Sequence, residues 1–205
     1  MVTVDTISYA TGESALGRVL VARSISGVCA ILIGAHDNEL VTGLAARFPE
    51  TKLVPDEADV QADLAKVTRF VDKPTEGLDL PLDLRGTPFQ RRVWEALRAI
   101  PVGTTVTYSE LANSIGAPNA VRAVAGACAA NPIALAVPCH RVVGSDGDLT
   151  GYYWGVERKR ELIRRRREPA FVHDLPCLCG RVRRGPGRGI QLAGPCWRTE
   201  RLCSG

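Results

Sequence analysis

The sequence predicts an α+β protein in two parts. Short β-rich runs separated by glycine open the chain, amphipathic helical spacings follow, and the charge changes sign between the halves. Met1–Gly86 carries 13 acidic and 8 basic residues, a net −5, and Thr87–Gly205 carries 9 and 18, a net +9. A basic second half points to a polyanion as partner, although a solvated basic face without a partner has the same composition. With 205 residues, either one moderate domain or two small ones can bury a core.

In chain order, Thr6–Ala10, Gly17–Ala22 and Gly27–Gly34 read as strands of an antiparallel meander. Asp37–Phe48 has Leu40, Val41, Leu44, Ala45 and Phe48 at helical spacing, with Asp37 or Asn38 as the N-cap. Asp56–Val71 repeats the pattern through Val60, Leu64, Val67 and Phe70. Leu78–Leu84 alternates strictly, and Pro81 argues for a sheet edge. Thr87 with Pro88 opens a helix to Ala99. A short helix from Thr107 or Tyr108 to Ile115, a turn at Gly116-Ala117-Pro118, and a helix from Ala120 to Ala130 capped by Asn119 fit a helix-turn-helix. Arg122 is the only charge on that last helix, whose alanines leave little bulk for reading base edges.

The stretch with chemistry is Pro138-Cys139-His140-Arg141-Val142, after the apolar run Ile133–Val137. The imidazole and the guanidinium next to the cysteine favour thiolate, the nucleophilic form. A buried structural cysteine beside a surface His and Arg fits the same five residues. A cysteine peptidase does not, because its Cys and His lie far apart in sequence.

Asn131-Pro132, Pro138-Cys139-His140-Arg141-Val142-Val143 and Gly151-Tyr152-Tyr153-Trp154-Gly155-Val156 resemble the O6-alkylguanine-DNA alkyltransferases, particularly the C-terminal half of Ada-type adaptive-response proteins. The resemblance runs from about Ile7 to Arg167 and is strongest from Thr87 to Leu162. It implies a small RNase H-like α+β domain over 1–85 and a winged-helix/helix-turn-helix alkyltransferase domain over 86–168. It also implies direct DNA repair, in which one alkyl group per molecule passes from O6-alkylguanine, or O4-alkylthymine, to Cys139. The partner it implies is duplex DNA approached from the minor groove with the target base flipped out, and the chain would act as a monomer.

Residue by residue, the resemblance makes Cys139 the nucleophile and His140 its base, acting through a water. Tyr108 would help rotate the nucleotide and protonate the guanine, and Asn131 would hold the turn before the cysteine strand. Arg122 would enter the duplex in place of the flipped base, with Ala120, Ala123 and Ala127 on the DNA face. Val142, Ser145, Tyr152 and the backbone of Tyr153 would line the guanine pocket, with Lys159 near the site. The family has a glutamate orienting the histidine 27 residues after the cysteine, and here that position is Arg166. Glu168 and Glu161 fall on other helix faces. Impaired activation of Cys139 is therefore an expectation, and a lesion-binding protein or a regulatory fragment of an Ada-type protein stands as the alternative.

No metal, nucleotide or redox motif is visible, so no cofactor is expected. Residues 169–205 lack periodicity and read as a disordered, atypical tail. A zinc site from Cys177, Cys179, Cys196 and Cys203 would need an unusual spacing, and an altered reading frame would explain both the tail and the missing glutamate. No apolar run is long enough to span a bilayer, the N-terminus lacks the features of a signal peptide, and the odd cysteine count argues against a disulfide framework. The expectation is a cytoplasmic protein with no membrane partner.

Overall fold

The computed structural model describes residues 5–74, 77–149 and 151–167. The chain opens on strands β1 (Thr6–Ser14), β2 (Gly17–Ser24) and β3 (Gly27–Gly34), which pair antiparallel as the glycine spacing predicts. Gly17 and Gly27 have φ of +106° and +143°, and a Cβ at Gly27 would lie 2.5 Å from the Pro81 carbonyl oxygen. A fourth strand, β4 (Lys52–Pro55), completes the order β3-β2-β1-β4 and runs parallel to β1. The sequence does not announce it, because four residues ending in proline carry too little alternation.

Helix α1 (Asp37–Arg47) packs on β2 and β3, and α2 (Glu57–Asp72) on β1 and β2. Val60, Leu64, Val67, Phe70 and Val71 of α2 are buried, each side chain contributing roughly 1.5–3 kcal/mol. Asp56 caps α2 by accepting from the amides of Ala58 and Asp59. The expected cap of α1 is different. His36 takes the N-cap position without a side-chain bond, while Asp37 accepts from Arg18 Nε at 2.6 Å.

The segment expected as an edge strand, 78–84, touches the sheet only briefly. Val28 donates to the Pro81 carbonyl at 2.8 Å and accepts from the Asp83 amide at 2.9 Å. Farther along the same edge, Ile31 donates to the Pro132 carbonyl at 2.9 Å and accepts from the Ala134 amide at 3.0 Å. The chain just before Pro138 is thus fastened to the first sheet.

Helix α3 (Pro88–Ala99) begins with the predicted Thr87 cap, and Gln90 closes a capping box. Strand β5 (Val106–Thr107) leads into α4 (Tyr108–Ser114), where Thr107 and Glu110 make a second capping box. After the turn, α5 is shorter than expected. Pro118–Ala120 forms a 3₁₀ turn, α5 spans Val121–Ala129, and Asn119 does not cap it. Trp94 Nε1 donates to the Ala127 carbonyl at 2.9 Å, which ties α3 to α5.

Cys139–Arg141 forms a 3₁₀ turn, not the start of a strand. Strand β6 (Val142–Val143) follows and pairs parallel to β5. Helix α6 (Val156–Arg167) ends the described residues. Its Arg158 donates to the Leu16 carbonyl at 2.8 Å and its Arg165 to the Val71 carbonyl at 3.1 Å. No described helix is long and apolar enough to cross a membrane. The expected tail, with Glu168 and the four cysteines after it, lies outside the described residues.

Candidate active site

Asn131 organises the site. It is fully buried, and its Nδ2 donates to the Val137 carbonyl at 2.8 Å and to Cys139 Sγ at 3.3 Å. Its Oδ1 accepts from the Ile133 amide at 2.9 Å. One side chain therefore closes the turn over Ile133–Val137 and holds the sulfur. The turn needs such support, because Leu135 has φ +70°, a left-handed conformation that costs a non-glycine residue roughly 1–2 kcal/mol. Apolar side chains fill the surroundings: Ile133, Ala134, Leu135 and Val137 are all buried.

Cys139 is 5% exposed and His140 is fully buried. Burial pushes the Cys139 thiol up to about 11, against the pull of the Asn131 bond and of Lys159. Burial, with Arg141 and Lys159 adding repulsion, pulls His140 down to about 3. The expectation that the neighbouring cations favour thiolate is thus overturned, since desolvation outweighs them. At neutral pH the pair is a thiol beside a neutral imidazole. A neutral imidazole has a lone pair to take a proton, so the arrangement suits a base better than an imidazolium.

Tyr108 is half-buried and its pKa is raised by burial and by Cys128 and Cys139. A Cβ on Gly151 would lie 3.5 Å from its hydroxyl, and Gly151 has φ +77°. Tyr152 is buried with its ring edge-on to His140 at 6.5 Å and to Trp154 at 5.3 Å. Lys159 is buried, with its pKa lowered by burial and raised by Cys139 and Cys128. Val142 is buried, and Ser145 is exposed in the turn after β6.

On α5, Arg122 and Ala123 are exposed and Ala120 is half-buried in the turn before the helix. Ala127, expected on the same outward face, is 4% exposed and packs inward next to Trp94. Gly126 and Ala129 are the other exposed positions of the helix, and exposed Ala130 caps its end. The inward side of α5 needs its own apolar residues to pack on α3, and a run of alanines does not reveal which of them do so.

A family model described as the DNA-binding domain of 6-O-methylguanine DNA methyltransferase matches residues 88–167. The inducible methylated-DNA–protein-cysteine methyltransferase of Bacillus subtilis is 36% identical over 159 residues, which cover 76% of this chain and 88% of that protein. The chain belongs to the O6-methylguanine-DNA methyltransferase family. The bifunctional transcriptional activator/DNA repair enzyme Ada of Escherichia coli is 51% identical over 162 residues, 79% of this chain. Those residues cover 46% of Ada, so the chain spans about half the length of that relative. Among solved structures, Mycobacterium tuberculosis OGT in complex with DNA aligns at 36% identity and a TM-score of 0.62, covering 78% of this chain and 92% of that one.

Within this family member, some features of the site were not foreseen. Tyr153 is 61% exposed, and its ring lies 4.5 Å from the Arg47 guanidinium, which bonds its hydroxyl at 3.3 Å. The two residues are 106 apart, and no local pattern links them. Cys128 is buried behind the site, with a thiol pushed up to about 12 by burial and by Cys139. A lone cysteine in an alanine-rich helix gives no signal of that neighbour. Position 166 lies on the backbone of α6 one turn beyond Leu162 and Ile163.

Proposed function

We propose that this chain repairs duplex DNA by transferring the alkyl group of O6-alkylguanine to Cys139, once per molecule. The observation that carries the reading is Cys139 Sγ held at 3.3 Å by Asn131 beside a neutral, buried His140. The sulfur attacks the alkyl carbon and a C–S bond forms as the bond to O6 breaks. His140 takes the thiol proton through a water, and Tyr108 gives a proton to the guanine as the alkyl leaves. The thioether is stable, so Cys139 is not regenerated.

A buried nucleophile cannot reach a base inside the stack, so the nucleotide must rotate out. Arg122 fills the vacated position, and the small exposed residues of α5 let the helix approach the minor groove. Val142, Ser145, Tyr152 and Tyr153 border the guanine, with Lys159 behind the sulfur. The domain reading is residues 1–85 as an RNase H-like part and 86–168 as a winged-helix part. It is supported by the mixed sheet with two helices in the first and by β5, α4, α5 and β6 in the second. Free Cys29, Cys128 and Cys139 suit a reducing cytoplasm.

The test is a titration of purified chain against duplex containing O6-methylguanine, counting lesions lost. Loss that stops at one lesion per chain supports the reading, and loss that continues, or never begins, refutes it.

One observation favours a weaker variant of the function. Arg166 stands where the family resemblance expects the glutamate that orients the histidine, so transfer should be slow while lesion binding persists. Arg166→Glu should raise the single-turnover rate by about tenfold, within the roughly 10²–10⁴-fold worth of a well-positioned base. An unchanged rate refutes the handicap.

A further inference from the structure

Beside His140 lies a cavity of about 10 Å³ lined by Gly103, Thr104, Thr105, His140, Arg141 and Ile163. Cys139 does not border it. Among the described residues, both ring nitrogens of His140 and Nε of Arg141 are buried without a hydrogen-bond partner. Roughly 10–15 Å³ is enough for one water, provided two to four polar groups meet it. Ile163, the one lining residue from α6, brings that helix to the cavity wall.

We propose that one bound water occupies this cavity and sets the tautomer of His140, with Thr105 as the positioning residue. Two of the hydrogen-bond directions follow from the neighbours, and the proposal assigns the acceptor role to Thr105. Arg141 Nε can only donate, so the water accepts from it. The hydroxyl hydrogen of Thr104 is committed to the Pro101 carbonyl at 2.9 Å, so its oxygen can only accept, and it receives one hydrogen of the water. One lone pair and one hydrogen of the water remain for Thr105 and His140. With the Thr105 oxygen accepting the hydrogen, the lone pair accepts the N–H of His140. The proton then sits on the ring nitrogen facing the cavity, and the other nitrogen keeps its lone pair for the Cys139 thiol. Without the Thr105 oxygen, the water offers the imidazole both a lone pair and a hydrogen, so it no longer selects the tautomer that leaves the sulfur-facing nitrogen free to act as a base.

This inference rests on His140 acting as the base for Cys139. Among the described residues, the charged and titratable groups acting on the imidazole are Arg141, Lys159, Cys139 and the edge-on Tyr152, and none of them is a carboxylate.

The test uses the full chain labelled with ¹⁵N-histidine, with His140 assigned through His140→Gln. Long-range ¹H–¹⁵N spectra at neutral pH report which ring nitrogen carries the proton. The parent should show one tautomer, Thr105→Val a mixture or the opposite one, and Thr105→Ser the parent pattern again. Single-turnover transfer from an O6-methylguanine duplex should fall about tenfold in Thr105→Val, within the range for a mis-set base, and recover in Thr105→Ser. An unchanged His140 spectrum in Thr105→Val overturns the proposal whatever the transfer rate. A spectrum that responds to Thr105 in a chain that never transfers methyl supports the water site and refutes the reaction proposed above.

Discussion

Asn131→Ala should destabilise the chain by about 3 kcal/mol and lower transfer at least tenfold. The substitution leaves the Val137 carbonyl and the Ile133 amide buried without their partner, and each such group costs roughly 1–3 kcal/mol. It also removes the donor that fixes Cys139 Sγ, in a turn already strained at Leu135. Urea midpoints and single-turnover rates check both parts. Asn131→Asp tests the donor. It keeps an acceptor for the Ile133 amide but faces an oxygen to the Val137 carbonyl and buries a carboxyl, so it should fold no better than the alanine variant. It also sets a carboxylate beside the thiol, which disfavours thiolate further, so its transfer should remain as poor. An alanine variant with parental stability would show that Asn131 is not what closes the turn.

His140 should make the fold acid-sensitive in a defined window. Its folded-state pKa is depressed to about 3 from an ordinary 6.5, mainly by burial. Between those values the unfolded chain binds a proton that the folded chain refuses. The stabilisation is therefore complete above about pH 6.5 and is lost as pH falls towards 3. By pH 4 the loss amounts to about 3 kcal/mol. His140→Gln has no such titration, so between pH 7 and pH 4 the parent should lose about that much more stability than the variant. Equal losses would mean that the imidazole is hydrated or charged in the folded state.

Much of this was legible in the sequence. Gly17 and Gly27 announced the hairpins, Thr87 with Pro88 announced α3, and Asn131, Cys139 and His140 pointed to the candidate site through their family pattern. The unread parts share a physical cause, which is that they depend on contacts distant in sequence. β4 exists because β1 offers it an edge. Ala127 faces inward because that side of α5 packs on α3, at the level where Trp94 bonds its carbonyl. Cys139 remains a thiol because the residues packed around it exclude water, and that effect outweighs the neighbouring cations that the sequence displays. The anchoring of Ile133–Ala134 to Ile31 of β3 joins positions about a hundred residues apart, and no local pattern encodes it. Thr105 belongs to the same class, since its role follows from a cavity formed by three separate segments.

The most direct measurement is the intact mass of the full chain after incubation with duplex containing O6-methylguanine, followed by peptide mapping. The account predicts a gain of one methyl group, found on the peptide carrying Cys139 and absent in Cys139→Ala, which should still bind the lesion duplex. A methyl group on another residue, or an unchanged mass after the lesion duplex has been bound, would contradict it.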